Sequence, residues 1–136
     1  MVRFTSVLNF LAAISREEGE LDVAAGRYVD ALSRAREVGD LWATCSALDG
    51  IAGVACQYGE YWLAARLLAC SDVLAARAGY ERPPHERARR AAEDRKLREE
   101  LGPGELEAAS AEGEVMAVGD ALASSLAFVE RGYAPV

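Results

Sequence analysis

Glu18-Gly19-Glu20-Leu21-Asp22-Val23-Ala24-Ala25 returns forty residues later as Tyr58-Gly59-Glu60-Tyr61-Trp62-Leu63-Ala64-Ala65. The same offset carries Leu8 onto Leu48, Ala12 onto Ala52, Ala35 onto Ala75 and Gly39 onto Gly79. A fixed period in this range marks stacked supersecondary units, each unable to bury its apolar face alone. Such arrays work chiefly by holding another molecule.

Composition agrees with helices. Apolar residues make up 51% of the 136-residue chain, Ala is prominent, and aromatics are few at 7%. Ala is the strongest helix former and lets helices approach closely, so the expected class is all-α. Outward from the repeat, apolar residues recur at three- and four-residue steps. This spacing predicts helices at about 5–18, 21–38, 41–58 and 61–78. Gly19, Gly39, Gly59 and Gly79 would turn the chain between them, with Asp40 capping the third. In the first helix the stripe is Val7, Leu8, Leu11 and Ile14; in the second, Val23, Ala24, Tyr28, Ala31, Leu32 and Ala35 point inward.

Beyond Gly79 the pattern changes. Pro83-Pro84 opens a charge-dense helix to Leu101, with Glu86–Arg90 and Asp94–Arg98 spaced for i,i+4 pairing. Gly102-Pro103-Gly104 breaks it. A short helix near 105–112 follows, then a last one near 118–131 with Ala121, Leu122, Leu126 and Val129 inward and a frayed tail from Tyr133. The organisation is a single helical domain: repeat 1 at 5–39, repeat 2 at 40–79, and divergent helices at 80–132 acting as a cap.

Two resemblances rest on these residues. Leu8, Leu11, Ala12, Gly19, Leu21, Ala24, Tyr28 and Ala31 resemble a tetratricopeptide repeat. So do Leu48, Ile51, Ala52, Gly59, Tyr61, Ala64, Leu68 and Ser71, with Leu68 standing for the motif's aromatic and Ser71 for its last Ala. The resemblance implies a right-handed superhelix of antiparallel pairs, six or seven helices in all. Further along, Gly39-Asp40, Gly59-Glu60, Ala64-Ala65-Arg66-Leu67-Leu68 and Pro83-Pro84-His85-Glu86-Arg87 are similar to the carboxy-terminal region of large LuxR-type bacterial regulators. Leu101-Gly102, Ala111-Glu112-Gly113, Met116 and Asp120-Ala121 extend that similarity. In that family of signal-transduction ATPases, such helices follow a nucleotide-binding domain and precede a DNA-binding module. The resemblance implies a transcriptional or signalling role.

Chemistry is sparse by contrast. The phosphate loop G-x-x-x-x-G-K-[ST] has no counterpart, so no ATPase and no cofactor are expected. His85 is the only His, which leaves no metal-ligand cluster and favours a capping role. Cys45, Cys56 and Cys70 lack C-x-x-C spacing. Cys45 and Cys56 would sit about 16 Å apart on one helix, too far to bridge, so buried free thiols are expected. A net charge of −7 opposes direct nucleic-acid binding. The segment 82–98 interleaves basic with acidic residues, which reads as a solvated, self-paired face. With no eighteen-residue apolar run and no signal-peptide layout at Met1-Val2-Arg3-Phe4, the expectation is a cytoplasmic protein.

The expected function is therefore a non-catalytic protein–protein interaction scaffold; the alternative is a small-molecule effector domain using the same groove. By register, the groove wall is Ser6, Asn9, Ala13 and Arg16, then Ser46, Asp49, Gly53 and Gln57. Asn9 and Asp49 fall at equivalent points, as two polar groups side by side. Tyr61 matches a packing position, whereas Trp62 is expected outward as a contact hot spot, with Trp42 either core or anchor. The flank carrying Phe4, Val7, Leu11 and Ile14 has nothing before it, so a homodimer through the first helix is a further expectation.

Overall fold

The computed structural model describes residues 4–131; the expected tail from Tyr133 and the Phe4 side chain fall outside them. Seven helices are present: α1 (Phe4–Glu17), α2 (Leu21–Val38), α3 (Leu41–Gln57), α4 (Tyr61–Ala78), α5 (Pro84–Glu100), α6 (Pro103–Glu114) and α7 (Val118–Glu130). No strand occurs among the described residues. The protein is all-α, and none of its described helices is long and apolar enough to cross a membrane.

The forty-residue period is written into the backbone. Gly19 and Gly59 take φ of 83° and 80°, and Gly39 and Gly79 take 71° and 64°. Only glycine adopts this left-handed region without penalty, so these four positions close α1 to α4. Asp40 opens α3 through its side chain, accepting from the Ala43 amide at 3.1 Å, and Thr5 Oγ1 donates to its other oxygen at 2.9 Å. One aspartate thus caps a helix and ties α1 to α3.

α3 is the centre. Its residues from Ala43 to Cys56 are buried apart from Ser46 and Asp49, as expected of a helix enclosed by neighbours. Side chains fix the directions. Thr5–Asp40 and Arg16–Gln57 set α1 parallel to α3, while Trp42 Nε1 donates to Ala78 O at 3.1 Å across the antiparallel α3/α4 pair.

The last three helices do not extend this order. α5 lies over α3, burying only Glu93 and Leu97. α6 crosses α4 at Gly113, where a Cβ would collide with the Arg66 carbonyl. α7 runs along α2, from Gly119 beside Arg36 to Phe128 against Tyr58, and also meets α3 and α4.

Several sequence expectations are corrected. Val7 and Leu11 are exposed, and Thr5, Asn9, Ala12 and Ser15 form the buried face of α1, because α2 and α3 approach from that side. Val23 is likewise exposed. α7 buries Ala121, Ser125 and Phe128 while Leu126 is exposed; Ser125 satisfies its hydroxyl on Ala121 O at 2.7 Å. α6 begins at Pro103, since proline fits a first helical turn, so the expected breaker is largely inside the helix. Arg90 pairs with Asp94 and with Asp72 on α4, in place of the expected partner Glu86, which accepts from the Tyr80 hydroxyl.

Candidate functional site

The expected groove wall is the face formed by α1 and α3, and α5 lies across it. What remains is a cavity of about 350 Å³ among α1, α3 and α5, with Tyr28 of α2 and Tyr80 at its margins. Ser6, Asn9, Ala13, Ser46 and Asp49 all line it.

Two glycines inside α3 make room for side chains around the cavity, and Gly50 lines it. At Gly50 a Cβ would strike the Tyr28 ring, so Tyr28 reaches from α2 past α3 only because Gly50 lacks a side chain. At Gly53 a Cβ would strike the Arg16 guanidinium and the Glu93 carboxylate. Gly in a helix interior costs roughly 1 kcal/mol relative to Ala. Here the room it leaves is filled by a phenol and an ion pair.

Most polar wall residues are committed within the chain. Arg16 donates from Nε to Gln57 Oε1 at 2.8 Å and from Nη2 to Glu93 Oε2 at 3.0 Å. Asp49 receives Arg82 at 2.6 and 3.2 Å. Arg82 also reaches Ser71 Oγ at 3.0 Å and Asp72 at 3.0 Å, and Arg90 clamps Asp72 through two bonds of 2.8 Å. Arg82, just before α5, and Arg90, within it, thus staple the segment to α3 and α4. Asn9 lies within the α1–α3 contact, donating to Ala43 O at 3.1 Å. Because that carbonyl can only accept, the amide orientation is fixed, and its Oδ1 is buried without a partner. Asn9 and Asp49 therefore line one cavity but serve different neighbours.

The electrostatics follow from this crowding. Burial pushes the Glu93 carboxyl up, against the pull of Arg16. Burial acts to raise Asp72 too, but bonds and charge from Arg90 and then Arg82 outweigh it and hold the carboxyl below its ordinary 3.8. Tyr28 is raised by burial despite Arg16, and Tyr80 by burial and Glu86. Cys45, which exchanges long contacts with Ser71, is pushed up to about 11 by burial and then Asp49. Cys56 and Cys70 are raised by burial as well. All three are free thiols, and a protonated thiol is a poor nucleophile. Among the described residues no His/Cys/Asp/Glu group is arranged to hold a metal ion.

Two aromatic side chains stand out on the remaining surface. Phe10 is 65% exposed and Trp42 50% exposed, both on the cavity rim, with Trp42 leaning on Tyr80 at 5.7 Å between ring centroids. Trp62 is less open, at 37%. Tyr28, Phe10, Arg82 and Glu93 were not among the expected site residues. The signal for Tyr28 and Glu93 was the unusual pair of glycines within one strongly apolar helix. In comparison with known proteins, the chain matches no family model, no curated protein and no solved structure.

Proposed function

We propose that this chain is a non-catalytic, tetratricopeptide-like interaction module that binds a protein partner. Its repeat geometry supports that reading: two hairpins with matched left-handed glycines stack around α3, leaving their edge residues for contacts. The LuxR-like residues quoted above support reading the chain as part of, or related to, a bacterial signalling or transcriptional regulator. The observation carrying the proposal is the exposed Phe10 and Trp42 pair on a rim where Glu93 and Asp49 are already paired within the chain, with Arg16 and Arg82. Aromatic side chains so placed bring large contact area at low entropic cost.

The cavity favours a second reading, in which a small-molecule effector sits under α5. Its volume lies in the range of small-ligand pockets and is too small for a folded segment. In this reading the ligand would reinforce the α5 seat and so alter the partner's engagement.

Native mass spectrometry of protein purified from its host separates the two. A co-purifying polypeptide lost in a Phe10→Ser/Trp42→Ser variant supports the first; a bound small molecule displaced by Gly50→Leu supports the second. A bare monomer at high loading contradicts both.

A further inference from the structure

The forty-residue offset maps Val7, Phe10, Leu11 and Ile14 of α1 onto Ala47, Gly50, Ile51 and Val54 of α3. The α3 set is buried: α2 lies against α3, and its Tyr28 ring crosses at Gly50. On α1, Val7, Phe10 and Leu11 are exposed and Ile14 is half-buried. The outer flank of α1 is thus the register copy of a surface that a neighbouring helix covers elsewhere in the same molecule. The copy differs at one point. Where α3 has a slot at Gly50 for an incoming ring, α1 has a projecting benzyl group at Phe10.

We infer that this flank docks an amphipathic helix of the partner protein, seated as α2 sits on α3, with a small residue opposite Phe10. The inference rests on the interaction reading above and names the surface and the partner's chemistry. α1 is fourteen residues, about 21 Å long. A single helix face of that length falls well short of the roughly 800 Å² per partner that stable free-standing pairs bury. Pairing of two α1 flanks is therefore disfavoured against a helix that belongs to a larger contact. A stripe at i, i+3, i+4 and i+7 is also the pattern that helix-in-groove recognition reads.

The test uses the full chain and two labelled synthetic peptides with the sequence 21–38, one keeping Tyr28 and one carrying Y28A. Fluorescence anisotropy should show the wild-type chain preferring the Y28A peptide by about tenfold, since Phe10 occupies the space a ring needs. The F10G chain should reverse that preference, and F10A, which keeps helix propensity, should remove it. V7D/L11D should bind neither peptide while keeping wild-type circular dichroism, because both side chains are exposed in the free protein. Equal binding of both peptides whatever stands at position 10, or binding of neither by the wild-type chain, would overturn the inference. So would sedimentation as a dimer that V7D/L11D dissociates, which assigns the flank to a second copy. A co-purifying polypeptide that survives V7D/L11D would sink this docking assignment and leave the interaction reading standing. A protein that purifies alone sinks the reading itself.

Discussion

α3 and α5 are both seventeen residues long and lie one over the other, yet they are held by different forces. α3 itself buries Ala, Leu, Ile and Val side chains along nearly its whole length. α5 buries Leu97 and Glu93, the latter against Arg16, and is otherwise tied down by charge, through Arg90–Asp72 and, just before its first turn, Arg82–Asp49 and Arg82–Asp72. Apolar burial is not screened by salt, whereas the Arg82–Asp72 and Arg90–Asp72 pairs, with the Asp72 side chain 45% exposed, are open to screening over a Debye length of about 8 Å at physiological ionic strength. The lesson is that one small domain combines a core set by packing with a strap set by electrostatics. The strap is the part conditions can release.

The comparison can be broken at several strengths. Leu48→Ala, at a fully buried position in α3, should lower global stability by about 2–5 kcal/mol with little salt dependence. Gly113→Ala should force α6 off the α4 backbone at Arg66 and cost about 1–3 kcal/mol, read by thermal melting. Arg82→Ala leaves Asp49 and Asp72 short of a partner and should cost about 1–2 kcal/mol at low salt, shrinking in 1 M NaCl. That shrinkage is what separates it from the Leu48 variant.

pH sharpens the same point with opposite signs. Asp72 is depressed below 3.8, so its contribution is present above that value and is lost as pH falls through its lower folded value. Glu93 is raised above 4.5, so its ionised form costs stability at neutral pH, and that cost fades as pH falls toward 4.5. Asp72→Asn should therefore remove an acid-sensitive step below pH 3.8, and Glu93→Gln a small stabilisation between neutrality and 4.5. The smallest effect is chemical: at pH 8 the buried thiols should label slowly in native protein and completely only after unfolding.

The halves also differ in how far they can be read from sequence. α2 and α4 have the bounds their spacing predicts, and the left-handed glycines stand where the repeat puts them, because each depends on residues a few positions apart. Periodicity shows that α1 has an apolar stripe; it does not say which stripe meets a neighbour, and Val7 and Leu11 are exposed as a result. α5 has the seat least legible in the sequence. Its alanines at 88, 91 and 92 are exposed, and its seat depends on Arg16–Glu93 and Asp49–Arg82, partners that no local pattern links. In α7, Phe128 rather than Leu126 turns inward because Tyr58, from the α3–α4 turn, supplies an edge-on aromatic contact. The expected contact residues scatter for the same reason: Asn9, Ser46 and Asp49 line the cavity, while Arg16 and Gln57 bond to each other and Trp62 stands apart.

Native-state hydrogen exchange, followed separately for α3 and α5 at 50 mM and 1 M NaCl, tests the electrostatic strap most directly. The account predicts that α5 amides exchange through a local opening whose free energy drops at high salt, while α3 amides follow global unfolding and barely respond. Exchange of α5 and α3 together, with one opening free energy at both salt concentrations, would contradict it.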